Sequence, residues 1–216
     1  MFPERLTKGY RAFLEGRFAV ERGRYQSLAG SGQRPSIMVI GCVDSRVSPE
    51  VIFDAAPGEL LVARNVANLV PRYEAPTTSE NDISHQHGTS AALEFAVRAL
   101  KVRHIVVLGH AFCGGIKAFA SDEAPLTASD FIGRWMRQIA PAAEAIGPRD
   151  GEGEEGYLRK LEFASVELSL KNLMSFPFVK AAVEMGELDL HGAYFGVASG
   201  RLLVRNPRTG QFEPTD

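Results

Sequence analysis

Several features that would identify a particular class of protein are scarce or absent in this sequence. Only two cysteines and one tryptophan occur among 216 residues. No run of eighteen apolar residues is present, so no membrane-spanning helix is expected. The net charge of −2, from 24 basic and 26 acidic side chains, argues against nucleic acid or an anionic membrane as the main partner. The N-terminus lacks a continuous apolar segment and a small-residue cleavage site, so a cytoplasmic location is the simplest expectation.

The order of apolar patterns predicts an α/β protein. Apolar, β-branched runs alternate with helical stretches, and two strands near the C-terminus resemble a hairpin. This order predicts a mostly parallel central β-sheet with one antiparallel edge strand, flanked by helices. The predicted strands are 37–40, 60–63, 104–108, 188–197 and 201–204.

The first thirty residues differ in pattern from the rest of the chain. Residues 1–30 are predicted to form an amphipathic helical arm, interrupted near Gly16. Residues 31–216 are predicted to form a single α/β domain. The arm could pack on its own domain or on a neighbouring subunit, and the sequence leaves both alternatives open.

Both cysteines lie where an apolar run gives way to glycine and polar residues. Cys42 and Asp44 follow the first predicted strand, and His110 and Cys113 follow the third. Adjacent parallel strands end at the same edge of a sheet, so these side chains are expected close enough to share one ion. Thiolate and imidazole are favoured donors for Zn²⁺, with carboxylate as an acceptable fourth.

Arg46 gives a reason for Asp44 to leave such an ion. A guanidinium can hold a carboxylate through two parallel N–H···O bonds, and Arg46 is two residues beyond Asp44. Three protein ligands and one water would then remain, which is the catalytic arrangement of zinc, and zinc lowers the pKa of such a water. A stabilising metal clip, a disulfide or two inert core cysteines are the alternatives that spacing alone leaves open.

Three separated segments resemble the signatures of β-class carbonic anhydrases. They are residues 42–46 (CVDSR), 64–68 (RNVAN) and 109–115 (GHAFCGG), in that order. The resemblance extends from about residue 30 to residue 205. It implies reversible hydration of CO₂ to bicarbonate and a proton by zinc-bound hydroxide.

The resemblance also implies roles for individual residues. Zn²⁺ would be held by Cys42, His110 and Cys113, with Asp44 as an alternative fourth ligand. Asp44 and Arg46 would form a dyad that orients the hydroxide, as the catalytic residues.

The substrate-binding residues are expected partly from this resemblance, although Leu61 and Phe95 stand where the family often has Phe and Tyr, and partly from the helix start at Gly114, where backbone N–H groups can bind an anion. They are Gln33, Leu61, Val66, Phe95 and Gly114. Gln33 matches a glutamine of the plant-like subtype, and Val39 stands where the bicarbonate-inhibited subtype has tryptophan, so the plant-like subtype with an open zinc site is favoured.

An oligomer is implied as well. The family's active site lies at a dimer interface, so a homodimer or a higher even-numbered homo-oligomer is expected. In such an assembly Gln33 and Phe95 could serve a neighbour's zinc.

Two other functions remain as alternatives. One is hydrolysis of COS or CS₂ on the same scaffold, and the other is a non-catalytic zinc-binding protein. Of the remaining histidines, His85 and His87 could shuttle protons or bind metal, although an ordinary solvated loop is the simpler interpretation. His104 and His191 are expected to be structural.

Overall fold

A six-stranded sheet forms the centre of the computed structural model, which describes residues 1–75, 88–121, 123–149, 151 and 153–215. The strand order is β2-β1-β3-β4-β5-β6. The first four strands run parallel to one another, and β5 and β6 are antiparallel. The strands are β1 Ile37–Cys42, β2 Leu60–Asn65, β3 His104–His110, β4 Asp189–Phe195, β5 Leu202–Arg205 and β6 Phe212–Pro214.

The predicted α/β fold with a mostly parallel sheet is therefore confirmed. The antiparallel edge contains β6 in addition to the predicted hairpin strand. This short strand ends in Pro214, which lacks a backbone N–H and is tolerated on an edge. A proline in a three-residue segment weakens the strand pattern, which is why β6 was not predicted.

Helices flank the sheet. Within the described residues none of them is both long and apolar enough to cross a membrane. The helices are α1 Glu4–Glu15, α2 Arg17–Ser31, α3 Pro49–Ile52, α4 Gly88–Glu94, α5 Gly114–Ala120, α6 Phe131–Met136, α7 Ala140–Ile146, α8 Gly153–Leu173 and α9 Pro177–Glu184. Shorter helical segments are the 3₁₀ turns Val66–Asn68 and Arg137–Ile139 and the π-helical segment Phe95–Leu100.

The two faces of the sheet are covered to different extents. Successive side chains of a strand point to opposite faces, so Met38 and Ile40 of β1 face one way and Val39 faces the other. Met38 and Ile40 belong to a large buried cluster that includes side chains of α4, α8 and α9. The cluster around Val39 is smaller, and half-buried side chains surround it, including Ile37, Leu60, Val62 and Val106.

The N-terminal arm makes little contact with the rest of its own chain. Neither α1 nor α2 contains a buried residue, and the chain breaks between them at Gly16, as predicted. The arm is tied to the domain by polar contacts such as Arg17 Nη2 donating to the Ala55 carbonyl at 2.9 Å and Arg24 Nε donating to the Pro57 carbonyl at 2.6 Å. Its exposed apolar side chains include Phe2, Leu6, Tyr10, Leu14 and Val20.

Candidate metal centre

Two cysteines and one histidine lie close together at the C-terminal ends of the parallel strands. Cys42 is the last residue of β1, His110 is the last residue of β3, and Cys113 directly precedes α5. Their ligand atoms lie within 4.8 Å of one another. Only 4%, 1% and 2% of these residues are exposed, respectively. This group can hold a metal ion, and its members are the three residues predicted to hold zinc.

His110 is oriented as a metal ligand would be. Its Nδ1 lies 2.9 Å from the Ala111 carbonyl oxygen, to which it can donate a hydrogen bond. That bond places the proton on Nδ1 and leaves a lone pair on Nε2. Nε2 is buried and has no hydrogen-bond partner among the described residues. Since buried polar atoms are almost always satisfied, a metal ion on Nε2 fits this arrangement.

The two thiols lie close together, and both are free rather than joined in a disulfide. The neighbouring Cys113 lowers the pKa of Cys42, against the opposing effect of burial. The neighbouring Cys42, together with burial, raises the pKa of Cys113. Since the thiolate is the form that binds a metal, a dication at this position would displace any proton that the two sulfur atoms hold.

Asp44 is held by Arg46 through both carboxylate oxygens. Arg46 Nε and its backbone N–H donate to Oδ1 at 2.9 and 3.0 Å, and Arg46 Nη2 donates to Oδ2 at 2.7 Å. This bidentate pairing holds the pKa of Asp44 well below its usual range. Asp44 is not among the described residues that form the metal-binding group.

Two arginines brace the backbone around these side chains. Arg64 donates from Nε to the Cys42 carbonyl and from Nη2 to the Asp44 carbonyl, each at 2.7 Å. Arg46 Nη2 also donates to the Phe112 carbonyl at 3.0 Å. The contact of Arg64 with Cys42 joins β2 to β1. The contact of Arg46 with Phe112 joins the segment after β1 to the segment after β3. The relative position of the two ligand-bearing segments is therefore fixed by guanidinium groups.

Glu162 and Tyr194 form a hydrogen-bonded pair that contacts the backbone of Cys113. The sequence alone did not reveal this pair. Glu162 Oε1 accepts a hydrogen bond from the Cys113 N–H at 3.0 Å, and Oε2 accepts one from the Tyr194 hydroxyl at 2.6 Å. Burial raises the pKa of Glu162, and the pKa of Tyr194 is also raised, mainly by burial. The only sequence signal was helical phase, since Glu162 shares the buried face of α8 with Ser165 and Ser169.

Val66 and Gly114 lie beside the metal-binding group. Val66 packs against the buried cluster that contains Cys42 and Cys113. Its carbonyl accepts a hydrogen bond from Trp135 Nε1 at 2.8 Å, which fixes the turn after β2. Gly114 is the first residue of α5. The predicted substrate contacts of both residues stay predictions.

Gln33, Leu61 and Phe95 lie elsewhere in the single chain. Gln33 is exposed in the loop before β1, at the opposite end of this strand from Cys42. Leu61 pairs with Met38, four residues before the end of the ladder, which is ~13 Å along the strand. Phe95 begins the π-helical segment and is 47% exposed. The predicted substrate contacts of these residues stay predictions. His85 and His87 lie outside the described residues.

Comparisons with known proteins agree on one family. A family model described as carbonic anhydrase matches residues 37–202. Beta carbonic anhydrase 3 of Arabidopsis thaliana is 35% identical over 200 residues, which cover 91% of this chain and 74% of that protein.

Solved structures of the same family superpose on the whole fold. The β-carbonic anhydrase CcaA matches with a TM-score of 0.85 at 27% identity, covering 99% of this chain and 92% of that one. One structure from a study of two tetrameric β-carbonic anhydrases of the ascomycete Sordaria macrospora matches with a TM-score of 0.76 at 30% identity, covering 92% and 94%. The chain therefore belongs to the β-class carbonic anhydrases and is a carbonic anhydrase, a lyase.

Proposed function

We propose that the chain catalyses the reversible hydration of CO₂ with a Zn²⁺ ion held by Cys42, His110 and Cys113. The observation that carries this proposal is the pairing of Asp44 with Arg46. Both oxygens of Asp44 are engaged by the guanidinium, so three protein ligands remain and the fourth position of a tetrahedral ion is open. An open fourth position favours catalysis over the alternative of a closed, non-catalytic zinc site.

The donor set suits zinc. Two thiolates and one imidazole are typical zinc ligands, and the unpaired His110 Nε2 supplies the lone pair that such an ion needs. A bound zinc ion would supply Lewis acidity, which would lower the pKa of a water molecule so that its conjugate base could attack CO₂ near neutral pH. The two thiolates reduce the charge of the ion, so this water is less acidic than one on zinc held by three imidazoles.

The residues around the ion orient the reactants. Asp44 stays ionised over the working pH range because Arg46 lowers its pKa, so it can only accept a hydrogen bond from the attacking water. Arg46 holds Asp44 in place and is itself fixed by the Phe112 carbonyl. Val66 gives a nonpolar substrate an apolar wall, and backbone N–H groups near Gly114 are expected to contact the anionic product.

The open arrangement also supports the plant-like subtype that the sequence favours. The bicarbonate-inhibited subtype has a tryptophan at the position of Val39. In this chain Val39 is buried within β1. Gln33 and Phe95 would complete the substrate pocket from a neighbouring subunit, because neither lies at the metal edge of its own sheet.

The proposed assembly is a homodimer or a higher even-numbered homo-oligomer. Its support is the arm, whose helices bury none of their own residues, and the thinly covered sheet face around Val39. The Sordaria macrospora relatives are described as tetrameric. A second copy of the chain could cover this face with its arm and bring Gln33 to the neighbour's metal.

One experiment tests the reaction and the metal together. Stopped-flow CO₂ hydration is measured on a sample whose zinc content is determined, for the wild-type chain and for Cys42→Ala. We expect hydration in the wild type, and loss of both activity and the corresponding zinc in the variant. Retained zinc without hydration would leave the non-catalytic alternative, and faster turnover of COS or CS₂ than of CO₂ would favour the hydrolase. The cytoplasmic location stays a prediction, for cell fractionation to test.

A further inference from the structure

A second group of metal-binding side chains lies at the opposite end of the sheet. His104, Asp189 and His191 place two ring nitrogens and one carboxylate oxygen within 4.8 Å of one another. His104 pairs with Asp189 in the ladder between β3 and β4, and Asp189 and His191 share a face because they are two residues apart. Six strand positions separate His104 from His110, which corresponds to ~20 Å at ~3.3 Å per residue. The group is therefore separate from the metal centre.

The spacing of the donors matches that around a zinc ion. His191 Nε2 lies 3.3 Å from His104 Nδ1, and His104 Nδ1 lies 3.5 Å from Asp189 Oδ2. Nitrogen ligands ~2.05 Å from a tetrahedral zinc ion are ~3.3–3.4 Å apart. Two of the three donor pairs therefore already have about the separation expected around a zinc ion, and the third pair lies within 4.8 Å.

Hydrogen bonding among the three side chains does not satisfy them all. A neutral imidazole has one N–H, so His104 Nδ1 can either accept a bond from His191 or donate one to Asp189, but not both. One shared divalent ion would satisfy both nitrogens and the carboxylate.

We propose that His104, Asp189 and His191 form an accessory site for a divalent transition-metal ion of the Zn²⁺ type. Two imidazoles and one carboxylate suit zinc, copper and nickel better than calcium or magnesium, which prefer oxygen ligands. The side chains of His104 and Asp189 are 39% and 69% exposed, so the ion can enter from solvent and water can complete its coordination. The ion would join the first residues of β3 and β4, and its binding would stabilise the folded chain.

This assignment differs from the structural role that the sequence suggested for the two histidines. Their separation by 87 positions hid the group, because the sequence alone does not give the register of β3 against β4. The proposal does not depend on the catalytic metal. Loss of the accessory site would leave Cys42, His110 and Cys113 untouched.

The test is a zinc titration of the full-length chain already loaded with its catalytic metal. Calorimetry measures additional Zn²⁺ binding, with Mg²⁺ as the hard-ion comparison, for wild type, His191→Gln and Asp189→Asn. The control is the double variant His85→Gln with His87→Gln, which removes two histidines and retains the proposed ligands. CO₂ hydration in each variant checks that the fold and the catalytic centre are intact.

We expect the wild type and the control to bind one further zinc ion per chain and no magnesium at the same concentration. His191→Gln should weaken this binding at least ~10-fold, because even the loss of a residue that only holds a metal ligand in place weakens binding by that factor. CO₂ hydration should be unchanged. Asp189→Asn changes an exposed side chain and should weaken it in the same direction, which covers the case that His191→Gln fails to fold. Equal zinc binding by wild type and both site variants, or loss of binding only in the control, would overturn the proposal.

Discussion

Gly115 sits at the closest approach between α5 and the turn that carries Val66. A Cβ atom added at Gly115 would lie 2.8 Å from Val66 Cγ1, 3.1 Å from Ala67 Cβ and 3.3 Å from Met136 Sδ. Val66 is β-branched and therefore stiff at χ1, and Ala67 has no side-chain freedom. Neither neighbour can move aside without moving the backbone of the turn. The neighbouring Gly114 has nothing within 4 Å of the same added atom.

These distances predict opposite effects for two alanine substitutions in one helix turn. Overpacking costs ~1–3 kcal/mol, and alanine regains up to ~1 kcal/mol of helix propensity, so Gly115→Ala should lose ~1–2 kcal/mol of unfolding free energy. At ~2–4 °C per kcal/mol for a chain of this size, the thermal midpoint should fall by ~2–8 °C. Gly114→Ala has no clash and should leave the midpoint unchanged or raise it by up to ~4 °C.

Differential scanning calorimetry of the two zinc-loaded variants and the wild type measures this difference. Neither glycine has a positive φ, so backbone strain does not complicate the comparison. Equal midpoints for Gly115→Ala and Gly114→Ala would refute the reasoning, because they would show that the turn yields freely. A shifted turn should also reduce CO₂ hydration in Gly115→Ala, since Val66 packs against the buried cluster that contains Cys42 and Cys113.

Three further predictions concern Glu162, Asp44 and the N-terminal arm. Glu162→Gln should weaken zinc binding ~10-fold in a chelator competition, because the amide binds the Cys113 N–H less strongly than the carboxylate does; unchanged affinity would remove Glu162 from the centre. Arg46 lowers the pKa of Asp44, so the ionised carboxylate stabilises the folded chain. In urea unfolding without metal, the wild type should be more stable than Asp44→Asn above about pH 5. This difference in unfolding free energy should shrink as the pH falls below about 4. A constant difference would contradict this. Deletion of residues 1–31 should lower the number of chains per particle in sedimentation velocity, and an unchanged number would reject the arm as an interface element.

Local patterns were sufficient to predict five of the six strands and the position of the metal-binding group. β-branched runs ending in glycine and polar residues placed Cys42 and His110 at one edge, because parallel strands bring their C-terminal ends together. The glycine at position 16 likewise predicted the break between α1 and α2. These features depend on residues close in sequence.

Features that depend on long-range packing could not be predicted. Glu162 looked like one acidic residue of a polar helix, and only the packing of α8 against the sheet places it behind Cys113. The Phe95–Leu100 segment has a helical apolar pattern that does not distinguish a π-helix from an α-helix. Gln33 is exposed in the loop before β1, and its predicted contact with substrate stays a prediction.

The most direct test of the central claim is the activity of Asp44→Asn with its metal content known. The substitution preserves size and removes the charge that Arg46 holds at 2.7 Å. Stopped-flow kcat/KM for CO₂ is measured beside zinc analysis of the same sample. The account predicts a loss of at least ~100-fold, the usual effect of removing a group that orients a reacting proton, with zinc retained. Near-wild-type turnover with zinc retained would contradict it.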